Sequence, residues 1–315
     1  MRALASYIMR GPIQAMLVTA ALAMVSLIPV LGVVSVLSGA SVALATLRHG
    51  AKQGMMVILG ASVVAGIFMY FVFGSMLVTS IFSILLWLPL WGMSLVLRST
   101  SSWSKLLDTA VIIGVAAVAL FYLSVADPAK FWQDVLGQML QVMAEQGGAE
   151  LPPIGDQLVA ISEWMTGMLA AGLVISYITS MAVARWWQAM LYNPGGFREE
   201  FHALRLNRNA TFALMAVVVL SILNLGVVSA LANDAIVIAF AVYGVVGLAI
   251  AHALVAGTGR SSGWLVAIYV LMFLIPPQIM MALAIAGVTD TWFDFRGRLA
   301  ASKQNQDAGD RHDNE

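Results

Sequence analysis

From Ile13 to Leu47 the chain carries no charged side chain, and the same holds from Gly54 to Leu97. Runs of this kind constrain the fold more than any motif does. In hydrocarbon every backbone N–H and C=O must find a partner within the protein, so an uninterrupted apolar run of this length reads as membrane-crossing helix. The rest of the composition agrees. Hydrophobic residues make up 61% of the chain and charged residues 10%, whereas a soluble domain is about half apolar and about a quarter charged. The fold class expected is therefore all-α, a polytopic transmembrane helix bundle.

A span needs roughly 20 residues at ~1.5 Å each to cross ~30 Å of hydrocarbon. Ile13 to Leu47 is too long for one span, and Pro29 with Gly32 offers the easiest place to reverse. The spans expected are 13–29, 32–47, 54–73, 76–97, 106–125, 163–185, 210–230, 234–256 and 264–288: about nine, with eight to ten as the range. Together they form a bundle over 1–292, followed by a polar tail over 293–315. Arg2 and Arg10 ahead of the first run resemble a signal peptide. No small-x-small cleavage site follows, so the run reads as a retained first span.

The basic residues orient the bundle. With the N-terminus in the cytoplasm, the inner segments hold Arg2, Arg10, Arg48, Lys52, Arg98, Lys105, Arg185, Arg198, Arg205, Arg208 and Arg260. Lys130 alone falls outside, and Arg296, Arg298, Lys303 and Arg311 lie in the tail. This asymmetry is the positive-inside pattern of an inner (cytoplasmic) membrane protein of bacterial type. Pro276-Pro277 leaves the last segment open. One kinked helix would put the tail outside, whereas two half-spans would return it inside. The tail's arginines favour the second.

Two polar segments interrupt the spans. Residues 127–162 form an acidic outer segment, with Asp127 placed to cap a helix and Pro128 at its first position. Phe131, Trp132, Val135, Leu136, Met139, Leu140 and Met143 then recur at helical spacing. Gly147-Gly148 should end that helix, and Pro152-Pro153 should stiffen the return. This segment reads as an interfacial helix, or as a lid over an outward-facing cavity. The inner segment 185–208 has an Asn193-Pro194-Gly195-Gly196 turn. An amphipathic stretch follows, in which Arg198, Phe201 and Arg205 could dock a partner.

The search for chemistry excludes more than it finds. Net charge is +0, which gives no nucleic-acid signature. There are no cysteines, and His49, His202, His252 and His312 are scattered, so no metal or cofactor site is expected. Gly257 to Gly263 is glycine-rich but lacks the lysine of a phosphate loop. No acid falls in the middle of an expected span; Asp108, Glu163 and Asp234 sit at span ends. An enzyme is not expected, and no catalytic residue is assigned. The neutral polar residues Tyr177, Asn224, Tyr243 and Gln278 are the candidate ligand contacts, with structural hydrogen bonding as the plainer role of each. Small residues recur at helical spacing at Ala15, Thr19 and Ala23, at Gly39 and Ala43, and at Gly247 and Ala251, where helices could approach closely.

Three groups of residues carry a resemblance. Ile28-Pro29-Val30-Leu31-Gly32 with Leu47-Arg48-His49-Gly50, Lys52 and Gly54 is the first. Asn193-Pro194-Gly195-Gly196-Phe197-Arg198 with Leu204-Arg205-Leu206 is the second. Gly287-Val288-Thr289-Asp290 with Trp292-Phe293-Asp294-Phe295-Arg296 is the third. In that order they resemble the YybS-like bacterial membrane proteins, a domain of unknown function. The first six spans of that family are similar to the substrate-binding S-components of energy-coupling-factor vitamin transporters. The resemblance implies an S-component-like N-terminal half and a coupling face at Ala15, Thr19 and Ala23. The chain departs from S-components in its extra C-terminal spans and in having no vitamin-binding motif.

The expectation is thus a transporter-like membrane protein that binds or takes up a small solute, its partners being the lipid bilayer, a membrane subunit and a small-molecule ligand. The alternative is a structural or regulatory protein that docks a partner through 185–208 and transports nothing.

Overall fold

The computed structural model describes residues 1–28, 30–147 and 155–298. The turn expected at Pro29, the Pro152-Pro153 pair and the tail beyond residue 298 lie outside the described residues. Among the described residues the secondary structure is helical, without strands. In chain order the helices are α1 (Arg2–Ile8), α2 (Pro12–Val25), α3 (Ser35–His49), α4 (Ala51–Phe73), α5 (Leu77–Phe82), α6 (Leu88–Thr100) and α7 (Trp103–Ser124). Then follow α8 (Pro128–Gly147), α9 (Gly155–Tyr192), α10 (Gly196–His202), α11 (Arg208–Ile222), α12 (Val227–Thr258), α13 (Gly263–Leu274) and α14 (Pro276–Phe293). Six helical stretches are long and apolar enough to cross a membrane: Gly32–His49, Ala51–Phe73, Leu77–Thr100, Trp103–Ser124, Asp156–Tyr192 and Val227–Thr258. α2, α11 and α13 are shorter apolar helices.

The stretch Leu77–Thr100 shows how sequence dictates a local defect. Pro89 has no N–H, so it cannot donate to the carbonyl of Leu85 four residues back. The chain widens there into a π-helical turn over Ser83–Trp87. The hydroxyl of Tyr177 on α9 donates to the Leu85 carbonyl in place of the missing N–H. Trp87, fully buried in the same turn, donates its indole N–H to Ser38 Oγ at 3.1 Å, and Ser38 donates to the Thr19 carbonyl at 2.8 Å. One proline therefore ties the α5–α6 stretch to α9, α3 and α2.

The expected coupling face on the first span needs correction. Ala15, Thr19 and Ala23 are buried within the chain, where α2 packs on α3 and α4. Their small side chains do serve close approach, but to helices of the same chain, so this face is not open to a partner subunit. Beside them, Met16 fills the space over Gly60 of α4.

Two boundaries differ from expectation, and one left open is settled. The segment expected as one span over 210–230 breaks at Leu223–Gly226, where Asn224 takes φ 50° and Gly226 takes φ 60°. Asparagine and glycine tolerate this left-handed backbone, so the run turns instead of continuing. Ser229 accepts from the Leu225 N–H and donates to the Leu220 carbonyl, which closes the hairpin. α12 accordingly starts at Val227, seven residues before the expected boundary. Over 264–288, where one kinked helix and two half-spans were both open, the chain takes the broken form. It breaks at Ile275, before Pro276-Pro277, into α13 and α14. No residue of α13 is fully buried by the protein; Leu265, Ile268 and Met272 are half-buried and its other apolar side chains are exposed. Finally, residues 155–162, expected in the outer segment, are the first turns of α9. Before it, Asp127 caps α8 as its position implied, accepting from the Lys130 N–H at 3.0 Å.

α12 is the axis of the C-terminal half and packs on α7, α9, α11 and α14. Its crossing with α14 is a contact of bare backbone. A Cβ added at Gly247 would lie 1.9 Å from the Leu283 carbonyl oxygen, and one at Gly287 would lie 2.3 Å from that of Tyr243. Gly247→Ala should therefore force the helices apart and destabilise the protein by about 1–3 kcal/mol, as overpacking does. Gly92→Ala, where an added Cβ meets nothing within 4 Å, should leave stability unchanged or raise it by up to about 1 kcal/mol. Thermal unfolding of both variants in detergent checks the contrast. Ala15→Leu should likewise lower folding yield, with or without any partner present.

Candidate functional site

α7, α11 and α12 enclose a groove of ≈ 400 Å³. α7 contributes Asp108, Val111, Ile112 and Val115; α11 contributes Asn209, Ala210, Ala213, Leu214 and Val217; α12 contributes Ala235, Ala239, Val242 and Tyr243. The sequence directions order these residues into layers. α7 and α11 start at the end of the molecule where Trp103 and Arg208 lie, and α12 finishes there. Asp108, Asn209 and Tyr243 therefore share one end of the groove. Val115, Val217 and Ala235 share the other, about 10 Å away at seven residues of helical rise. Polar groups line the first end only. Tyr243 is buried, and its hydroxyl pairs with Thr211 Oγ1 at 2.7 Å.

The groove gathers one of the four expected ligand contacts, Tyr243. Tyr177 is buried and committed to the Leu85 carbonyl, so it has no hydroxyl proton to offer a ligand. Asn224 sits in the α11–α12 turn with its side chain exposed, and Gln278 is exposed on α14. The groove's other two polar residues, Asp108 and Asn209, were not among the expected contacts. Both lie in the first turns of their helices, where a polar residue is commonplace. Only the pairing of α7 with α11 across α12 brings them together. The cavity expected beneath 127–163 is not where this groove's polar end lies; that end is opposite α8.

Several basic residues make separate contacts elsewhere in the bundle. Arg98 bonds to the Leu47 carbonyl, Arg185 and the Trp103 indole both bond to Glu200, and Arg48 stacks on Tyr192. A smaller polar cleft of ≈ 240 Å³ between the α10–α11 loop and the end of α14 holds Arg205, Arg208, Asp290, Asp294 and Arg296. Arg296 donates to the carbonyls of His202 and Leu204 at 2.6 and 2.9 Å and to Asp290 Oδ2 at 2.6 Å. The side chains of that pair are 8% and 2% exposed. The start of the tail is thus held against the 185–208 segment. The neighbouring His202 imidazole is held below its ordinary value, by burial first and then by Arg198 and Arg296.

Of the three expected docking residues, Arg198 is exposed, in a crevice with Arg2, Trp186 and Phe197. Phe201 is half-buried against His252 and Phe197. Arg205 is paired with Asp294. Among the described residues there is no group of three histidines or acids able to hold a metal ion.

The two ion pairs of the cleft predict different costs. Arg296→Leu should destabilise by about 3–5 kcal/mol, because it leaves Asp290 buried and unpaired. Arg205→Leu should cost no more than about 1 kcal/mol, since the Arg205–Asp294 pair is solvated. Chemical denaturation of the solubilised variants checks both.

No curated protein and no solved structure matches this chain. The family described as predicted membrane protein (DUF2232) matches residues 17–291, which takes in every long apolar helix and the groove. The chain belongs to that family of predicted membrane proteins.

Proposed function

We propose that the protein is a transporter-like, non-enzymatic component of a bacterial inner membrane, with its N-terminus in the cytoplasm, that binds a small amphiphilic molecule in the α7–α11–α12 groove. The observation that carries this reading is the one-sided placement of the polar groups. Asp108, Asn209 and Tyr243 offer an acceptor, an amide and a hydroxyl at one end, and the remaining wall is apolar. A ligand with a polar head and a short apolar body satisfies both parts. The volume lies within the usual range for small-molecule sites, about 300–1,000 Å³. The positive-inside pattern puts the polar end toward the cytoplasm. The sequence resemblance to a family whose first six spans are similar to S-components is in keeping with a binding role, although α11 and α12 lie beyond those spans and the small-residue face of α2 is covered within the chain.

Ala213→Trp and Ala239→Trp fill the groove while leaving Asp108, Asn209 and Tyr243 themselves unchanged. Mass spectrometry of organic extracts from the purified protein should find an amphiphile in the wild type and several-fold less of it in both variants. Adding it back should raise the melting temperature of the wild type alone. Equal recovery from wild type and filled variants would overturn the reading.

The crevice at Arg2, Trp186 and Arg198 favours a second reading, in which the inner segment docks a membrane partner. Arg198→Glu should then abolish cross-linking to that partner while the groove variants retain it.

A further inference from the structure

Asp234 stands apart from every other acid among the described residues. It was expected at a span end, in water, but the early start of α12 places it about 10 Å along the helix by its seven residues of rise. There it is 2% exposed. Asp290, equally buried, shows how this chain treats a structural acid, by pairing it with an arginine. Asp234 takes part in none of the ion pairs formed among the described residues, and its Oδ2 has no hydrogen-bond partner.

The elements packed on α12 supply no cation near it. α9 presents the bare backbone of Gly167, where an added Cβ would lie 2.7 Å from Asp234 Oδ1. One residue earlier on α9, Thr166 accepts from the Trp132 indole of α8 at 2.8 Å. Glu163, one turn further on, is exposed. α7 presents the Tyr122 phenol toward the carboxyl. The charged groups of the other neighbours, Arg208 on α11, Asp290 on α14 and those of α10, all belong to the opposite end, and α13 has none. An ionised carboxylate desolvated in this way without a counter-charge is prohibitively costly. An ionisable group inside a membrane bundle marks a functional position by default.

We propose that Asp234 is a buried proton-binding site, taking up and releasing a proton through the Tyr122 and Thr166 side of the α7–α9–α12 junction. The next residue, Ala235, lines the groove, so a change of charge at Asp234 acts directly on the groove's wall. The proton site itself does not depend on that groove being occupied.

Infrared spectroscopy of the protein in lipid bilayers, with ¹³C-labelled aspartate, reads the carboxyl directly. The wild type should show an isotope-shifted protonated-carboxyl band near neutral pH that disappears reversibly in alkali. Asp234→Asn should lack it. Should that variant not fold, Asp234→Glu, which carries no label at this position, should lose the labelled band instead. A wild type without the band overturns the proposal, as does a band that survives in either variant. A band unchanged at every pH also overturns it, because the group would then be a locked structural donor.

Discussion

A backbone group freed inside hydrocarbon has no water to turn to, and this constraint organises the N-terminal half of the molecule. Pro89 frees the Leu85 carbonyl, and Tyr177 of α9 supplies the donor. That single exchange fixes the rotation of α9 against α6 and sets the π-helical turn. It also places Trp87 where its indole can reach Ser38. Serine and threonine hydroxyls elsewhere in the bundle return to carbonyls three or four residues back, as at Ser94, Thr46 and Thr109. The polar atoms of the spans are thereby largely spent on the fold. Among the described residues, Thr19, Thr79, Ser180, Trp187, Asp234 and Arg296 each keep a buried polar atom without a partner, and Asp234 is the one acid among them.

Small residues play the complementary part. Lipid tails are as apolar as leucine, so helices gain by association mainly where their backbones come close enough to pack. Gly247 with Gly287 achieves this at the α12–α14 crossing, and Ala15, Thr19 and Ala23 achieve it between α2, α3 and α4. The same logic separates the two ends of the C-terminal half. At one end, arginines, acids and loop carbonyls are knitted together. At the other, Asp234 forms no ion pair among the described residues.

Much of the architecture was legible in the residues. The uncharged runs identified the membrane class, Asp127 with Pro128 marked the start of α8, and Asn193 to Gly196 marked a turn. Helix breaks within apolar runs were not legible in the same way. Asn224 reads as one polar residue in a long span, because composition does not record that its backbone is left-handed. That miss propagated, since moving the start of α12 carried Asp234 from the water into the core. Tyr177 was singled out as polar in a span, but its partner is set by a proline nearly ninety residues earlier. A proline within an apolar run is itself the signal, since it announces an orphaned carbonyl four residues back. The groove was illegible because its polar end is assembled from three helices whose pairing no local pattern encodes.

The Arg296 latch has a consequence for biogenesis. Its acceptors, the carbonyls of His202 and Leu204, are synthesised some ninety residues before the guanidinium that binds them. α14 likewise follows α12 in the chain, and it brings Leu283 onto the bare backbone of Gly247. The C-terminal half therefore cannot close until α14 has packed on Gly247 of α12 and Arg296 has reached the loop carbonyls.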